Sequence, residues 1–507
     1  MQPLDWCVIV LYLFGMLAIG WYYARRTATT DDYLLGGRRM GALSVGLSLF
    51  ATMLSTISYL AWPGEVIKHG PMMLAIIAGL PPVYVLAGWF LIPRIMQLKI
   101  TSANELLEAR LGVGVRTLGA VFFLAMRLAW MAVIIYATTD KILVPLLGLD
   151  SSMTPLVCAV LGAITVIYTS MGGLRAVVVT DVTQTLILFG GAVLTLVLVS
   201  MRMGGVAAWW PTEWPSEWPE PVWGFSSTAR VTFLGAALAQ FTWWICTAGS
   251  DQMAIQRYLA TRDARAARNV LLTSLVANVV VMLILSGAGL ALWAFFREHP
   301  QLLRAGQAIQ ADADKLFPRF IEVGMPTGIS GLVVAGLLAA AMSSLSSGVN
   351  SSCSIITVDF VDRFRLSHNS GAELDHVKLA RIISVFVGVV VIALAAGVGV
   401  VQGNLLEVAF KVVNLLTVPL FGLFFMAMFV RWATGPGTMI GAALGLVVIV
   451  AINYWKELTG STGISFLWAM PLGFVVQIAV GMLASLLPIG RAPQVASDEC
   501  PPSHLGS

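Results

Sequence analysis

The sequence predicts an all-α integral membrane protein of about 13 transmembrane helices, and three observations lead there. The 507 residues are 58% hydrophobic and only 11% charged, with a mean hydropathy of +0.86. A soluble chain carries about 25% charged residues. The apolar residues come in blocks of roughly 20, the length a helix needs to cross a hydrocarbon core of about 30 Å. Two of these blocks, the second and the seventh, carry polar and glycine interruptions and lie five blocks apart, as the opening helices of two five-helix repeats would.

The predicted spans run over residues 6–24, 44–69, 72–97, 117–142, 153–171, 176–200, 231–253, 270–296, 327–358, 380–400, 406–430, 435–453 and 465–488. The first follows the acidic start MQPLDW, with neither a basic region nor a small-residue cleavage site, and reads as a retained span rather than a signal peptide. With the N-terminus outside, the loops on the inner side receive most of the 30 Lys and Arg residues, among them Arg25, Arg26, Arg38, Arg39, Arg116, Arg257 and Arg363. The positive-inside rule then places the C-terminus in the cytoplasm. The outer loop 201–229 holds the Trp/Pro-rich run WWPTEWPSEWPEPVW, either an interfacial anchor, the commoner use of Trp there, or an extracellular gate. Residues 1–490 form one transmembrane domain in this reading, and the tail 491–507 is a disordered cytoplasmic segment. The net charge of +4 is spread out, which gives no reason to expect nucleic acid. Cys7, Cys158, Cys246, Cys353 and Cys500 are too widely spaced for a disulfide framework or a zinc site.

Backbone in hydrocarbon must satisfy its own hydrogen bonds, so interruptions survive only where they face protein or a water-filled cavity. The second span reads GLSLFATMLSTISYLAWPGEV, with Ser55, Thr56 and Ser58 at its middle. The seventh reads AQFTWWICTAGSDQ, with Thr242, Thr247, Gly249, Ser250 and Asp251. Such paired breaks point to a transport site at the bilayer midplane; two kinked packing helices would look the same. The ninth span contains AAAMSSLSSGVNSS, in which Ser343, Ser346 and Ser347 share one helical face. Hydroxyls and freed carbonyls suit a hard cation, while small residues also allow close helix packing. Asp181, in the sixth span, favours the cation, because a carboxylate inside a membrane is costly and marks an ion or proton pathway. A proton relay would show more acids or histidines in the spans. Two bases lie within apolar blocks. Arg127 has no nearby acid in the sequence, and Lys411 has Glu407 one turn earlier. A transported carboxylate would satisfy either one, and a structural ion pair would satisfy Lys411.

These runs resemble the sodium/solute symporter family. The resemblance is carried by YLLGGRRM (33–40), GLSLFATMLS (46–55), ITSANELLEARLG (100–112), GGLRAVVVTDVTQ (172–184), DQMAIQRYLA (251–260) and AAAMSSLSSGVNSS (339–352), and extends from the first span to about residue 430. The early runs are most like the branch that carries monocarboxylates, vitamins and iodide. The resemblance implies a five-plus-five inverted repeat (a LeuT-like fold), repeat one at about 44–200 and repeat two at about 231–430, working by alternating access. It implies a sodium site made by carbonyls of Ala51, Leu54 and Ala340 with hydroxyls of Ser343 and Ser344. It also implies a second sodium site at Asp181, Ser343, Ser346 and Ser347, so that one or two Na+ ions are co-transported. Ser58 matches a substrate position of the family, with Ser55 one turn away and Trp243, Trp244 and Thr247 nearby in the seventh span. Lys411 stands where sugar carriers have an amide, and Ile77 where sugar and sialic acid carriers have a polar contact.

The reading that results is a sodium-coupled symporter for a small organic solute, an anion such as a monocarboxylate, bound through Ser55, Ser58, Arg127, Trp243, Trp244, Thr247 and Lys411. Its location is the plasma membrane (the inner membrane of a bacterium), its partners are the solute, sodium and the lipid bilayer, and no obligate protein partner is evident. A carrier of a neutral sugar or amino acid, and a solute sensor on the same fold, are the alternatives. No metal triad, nucleophile elbow or phosphate loop points to an enzyme.

Overall fold

Helices satisfy their backbone hydrogen bonds internally, the condition for lying in hydrocarbon, and in the computed structural model the described residues are organised as helices. Described are residues 2–27, 29–97, 100–226, 228–364, 373–398, 405–461 and 463–487, without the side chains of 141, 146, 373–376 and 405–414. The tail 491–507 and the side chains of Glu407 and Lys411 lie outside the described residues.

The chain begins with α1 (Pro3–Ala24), then the pair α2 (Ala42–Met53) and α3 (Thr56–His69). Next come α4 (Pro71–Gln97), α5 (Val113–Thr138) and α6 (Thr154–Arg202). A second split pair, α7 (Phe233–Ser250) and α8 (Gln252–Leu259), precedes α9 (Ala264–Glu298) and α10 (Ile329–Ile355). The last four are α11 (Glu373–Gly397), α12 (Leu405–Phe429), α13 (Gly435–Asn453) and α14 (Ala469–Ala484).

Among the described residues nine helical stretches are long and apolar enough to cross a membrane, or ten if the bent pair α2–α3 counts as one. Three features separate this number from the 13 blocks of the sequence. The stretch Ser151–Arg202 is 52 residues long, about 78 Å of helix at 1.5 Å per residue, more than twice the hydrocarbon thickness. It turns at Gly173 (φ 60°, ψ −160°), where an added Cβ would stand 2.6 Å from the Tyr33 carbonyl oxygen, so only glycine fits. Helix α7 is not among the nine, being made more polar by Gln240, Thr242, Thr247 and Ser250. The described side chains of α12 cover only Leu415–Phe429, a short apolar segment.

Helix α10 is the axis of the molecule. Its most apolar stretch is 89% buried against other helices, and it packs along α6, α5 and α1. A helix that is apolar or small all round belongs inside, so its serines face protein rather than lipid. Asp5 of α1 caps it: the carboxylate accepts from Gly328 N (2.7 Å), Ser330 Oγ (2.6 Å) and Gly331 N (3.0 Å), satisfying donors that a helix start leaves open.

Two ends of the bundle are tied by charge. On one, the sequence reading took Arg116 for a loop residue, but it is buried. Its guanidinium donates to Asp359 (2.8 Å) and Glu108 (2.6 Å), and Asp359 also accepts from Ser102 (2.6 Å) and Asn104 (2.9 Å). Arg363 and Arg116 together hold the Glu108 carboxyl below its usual range. At the other end Glu65 of α3 pairs with both terminal nitrogens of Arg230, beside a cleft of about 150 Å³ lined by His69, Met73, Glu220 and Val222. The Trp/Pro-rich loop folds onto this end. Trp218 is buried and donates to the Ile67 carbonyl (3.0 Å), and Trp209 is buried too, whereas Trp210 and Trp223 are exposed. The loop is therefore partly a packed element of the protein and only partly available as an interfacial anchor.

Candidate functional site

The breaks in α2–α3 and α7–α8 are built alike. Helix α2 ends at Met53, Leu54 turns extended (φ −91°, ψ 116°), and the chain bends by 66° before α3. Ser55 then caps α3, its Oγ accepting from Ser58 N at 3.2 Å. Helix α7 ends at Ser250, Asp251 turns extended (φ −74°, ψ 119°), and its carboxylate caps α8 by accepting from Met253 N at 2.9 Å. In both places a capping side chain replaces the lost helical bonds at the new N-terminus, and the carbonyls at the end of the preceding helix are left to find other partners.

The carbonyls of the first break turn toward α10. Ser344 Oγ lies 3.3 Å from the Leu54 oxygen and 3.4 Å from the Thr52 oxygen, and Thr56 Oγ1 donates to Leu337 O at 2.9 Å. Ala51 and Ala340 are buried on the same two helices. Ser343 Oγ is buried without a hydrogen-bond partner. An open set of carbonyl and hydroxyl oxygens with a spare hydroxyl is the donor chemistry a sodium ion takes.

Asp181 lies in a second cluster. Its Oδ2 accepts from Ser48 Oγ (2.5 Å) and Arg257 Nη2 (3.1 Å), with Ser347 Oγ at 3.5 Å. Ser343 is near enough to act on the same carboxylate, yet neither Ser343 Oγ nor Asp181 Oδ1 completes a hydrogen bond. Ser346 Oγ turns instead to the Ser343 carbonyl (3.0 Å), and Ser347 shares a hydrogen bond with Thr52 (2.8 Å). A buried carboxylate oxygen and a buried hydroxyl with nothing to bind form a place where a cation gains ligands.

Arg257 was read from the sequence as an inner-loop charge. It is fully buried, donating to Ser347 (2.6 Å), Ser48 (2.9 Å) and Met253 O (2.9 Å) besides Asp181. The missed signal was the break itself: a chain that resumes as a helix after Asp251 keeps Arg257 at the depth of the spans. Ser48 and Thr52, which lie on α2 before the break, were also missed.

Of the solute-binding candidates, Ser55 and Ser58 share a hydrogen bond (3.2 Å). Trp243 and Trp244 meet edge to face at 5.2 Å, and Trp244 and Thr247 are buried. Arg127 is buried beneath the Phe123 ring and forms an ion pair with Asp251, an acid 124 positions away in the chain. Its Nε has no partner. Ile77 packs half-buried at the edge of one apolar core.

Two broken helices around a central helix, with buried oxygens lacking partners at depth, are the arrangement in which secondary transporters place their ion and solute sites. The comparisons name the group. The model of the sodium:solute symporter family matches residues 33–445. The sodium/sialic acid symporter SiaT of Proteus mirabilis (strain HI4320) is 32% identical over 90% of both chains. A sodium-dependent multivitamin transporter of Oryctolagus cuniculus is 30% identical over 90% of this chain and 71% of its own. A solved structure of a Na+-coupled sialic acid symporter, substrate-bound and outward-open, superposes with a TM-score of 0.83 at 28% identity, covering 96% of this chain and 98% of its own. The chain belongs to the sodium:solute symporter family. It is a multi-pass, sodium-coupled carrier of a small solute.

Proposed function

We propose that the protein imports a small organic anion across the plasma membrane by sodium-driven alternating access. The observation that carries the reading is the break at Leu54–Ser55, whose carbonyls meet Ser344 while Ser343 is left without a partner. In this reading Ala51, Leu54, Ala340, Ser343 and Ser344 hold one sodium. Asp181, Ser343, Ser346 and Ser347 hold a second. The solute lies among Ser55, Ser58, Arg127, Trp243, Trp244, Thr247 and Lys411. Support for an anion comes from the buried Arg127, whose Nε is an unused donor, and from relatives named for sialic acid and vitamins. An apolar Ile77, where the resemblance puts a polar contact in sugar and sialic acid carriers, argues against a polyhydroxylated solute. One observation favours a neutral sugar or amino acid instead: Asp251 already neutralises Arg127.

The experiment is a thermal-shift screen of purified protein in sodium or choline chloride against monocarboxylates, vitamins, amino acids and sugars. A ligand that binds only the folded state raises the transition temperature. The expected result is stabilisation by an organic acid that depends on sodium. A neutral solute as the best ligand overturns the anion reading, and indifference to sodium overturns the site. Ser343→Ala and Ser344→Ala should each cost about 1–3 kcal/mol of sodium binding, as for a lost buried polar partner. Each should raise the sodium concentration for half-maximal stabilisation roughly 5- to 150-fold. Unchanged sodium dependence in both removes the assignment.

The architecture that goes with this function has 13 spans, the N-terminus outside and the C-terminus in the cytoplasm, with repeats over about 44–200 and 231–430. The like construction of the two breaks supports the repeats, and the side-to-side bias of Lys and Arg supports the orientation. In a cysteine-free background, single cysteines at Gln2 and beyond Arg491 should react with impermeant reagents from opposite sides. Reaction from the same side excludes an odd number of spans.

A further inference from the structure

Helix α8 is anchored at its two ends to different helices, each time by charge. Asp251, its N-cap, pairs with Arg127 of α5. Arg257, near its C-terminus, pairs with Asp181 of α6 at 3.1 Å and donates to Ser347 of α10 at 2.6 Å. All four charged residues are buried, none more than 6% exposed. Each pair keeps one atom unused, and the two are complementary in kind. Asp181 Oδ1 is an acceptor without a donor, and Arg127 Nε is a donor without an acceptor. The first calls for a cation and the second for an anion.

We propose that α8 is the coupling element of the carrier. Sodium arriving at Asp181 replaces the Arg257 guanidinium, an anionic solute arriving at Arg127 replaces the Asp251 carboxylate, and α8 is released only when both have arrived. This rests on the sodium-and-anion reading above and adds the roles of Asp251 and Arg257. The reason is electrostatic. Sodium alone would displace Arg257 while Asp251 still held the helix, trapping the guanidinium inside without a partner. The anion alone would strand Asp251 while Arg257 still held it. An unpaired buried charge is strongly unfavourable, so each singly loaded state resists release. With both loaded, the freed Arg257 and Asp251 lie on the same short helix with opposite signs, and α8 moves without net charge. Coupling then comes from blocking release with one ligand bound, which prevents sodium from leaking through without solute.

Hydrogen exchange of the full-length protein, with sodium chloride as the only probe and choline chloride as control, tests this. In the native protein, sodium without solute should change exchange of the 252–259 amides less than twofold, because Arg127 still holds Asp251. In the double variant Arg127→Gln/Asp251→Asn, which strands no charge before sodium binds and no longer holds the start of α8, sodium alone should raise their exchange tenfold or more, because the displaced Arg257 then leaves the interior with the helix. The same variant in proteoliposomes should take up sodium without solute, which the native protein should not. Arg127→Lys, which keeps the charge but loses the planar fork, guards against a double variant that fails to fold. It should raise exchange two- to fivefold, and an unchanged value counts against the proposal. The proposal is overturned if sodium alone opens α8 in the native protein, or if the double variant stays as protected as the native protein while sodium still stabilises it. Thermal stability separates the two levels. If sodium stabilises neither protein, the sodium reading itself fails; if it stabilises both without freeing α8, only the coupling role fails.

Discussion

Replacing Asp181 by Asn is expected to abolish sodium-driven uptake and to leave the protein markedly less stable. Two effects act together. The Arg257 guanidinium, fully buried, loses its only acidic partner among the described residues, and removing one member of a buried ion pair costs about 3–5 kcal/mol. The carboxylate is also the one charged ligand of the proposed second sodium site, so the sodium-dependent rise in transition temperature should shrink and uptake should fall roughly 100-fold or more, equivalent to about 2.7 kcal/mol. The double variant Asp181→Asn/Arg257→Gln separates them. It strands no charge, so stability in choline should return toward the native value while the sodium response stays impaired. If Asp181→Asn alone keeps a native sodium response, Asp181 is a structural partner of Arg257 and the second site is withdrawn.

Arg127→Gln should weaken the solute far more than it weakens sodium. In the native protein Arg127 pairs with Asp251 and has Nε to spare. A solute carboxylate in a buried site exploits a guanidinium through charge-assisted bonds worth about 1.5–3 kcal/mol each. Losing them raises the solute concentration for half-saturation by roughly 10- to 150-fold. Sodium titrated alone should report only the lower overall stability caused by the stranded Asp251. Equal solute affinity in native protein, Arg127→Gln and Lys411→Gln would show that neither base meets the substrate, and a neutral solute would then be the better candidate.

How much of this was legible before the structure varied with the distance over which the signal acts. The helical class, the membrane and the two breaks are local properties, written in composition and in Pro, Gly and hydroxyl residues within a single block. The serine run was legible for the same reason: Ser343, Ser346 and Ser347 share one face of a single helix, a pattern that suits ion ligands and close helix packing alike. Partners were not legible. Nothing within a block announces that Arg127 meets Asp251, or that Arg257 reaches Asp181 across 76 positions. Arg257 and Arg116 were misplaced because a positive residue near the end of an apolar block reads as a loop charge, and only the packing of α8 and of Asp359 draws them inward. The 13 blocks and the nine or ten long apolar helices of the described residues differ partly because α7, a span in the sequence reading, carries enough polar residues to fall outside the second set.

The cap that Asp5 places on α10 has a practical consequence for anyone handling the protein. Only 14 positions separate Ile329, the first residue of α10, from Ser343, about 21 Å along one stiff helix. Whatever pulls on the first few residues, a fused fluorescent protein or an affinity tag held on a short linker, therefore pulls on the rod that carries the ion ligands. Two preparations differing only in the end at which they are tagged should then give different sodium titrations, and the one tagged at its C-terminus is the reference. The same reasoning applies to mutational scans. A substitution at Asp5, Ser330 or Gly331 that alters sodium dependence belongs with the cap, and such positions should be set aside before a map of ion-binding residues is drawn.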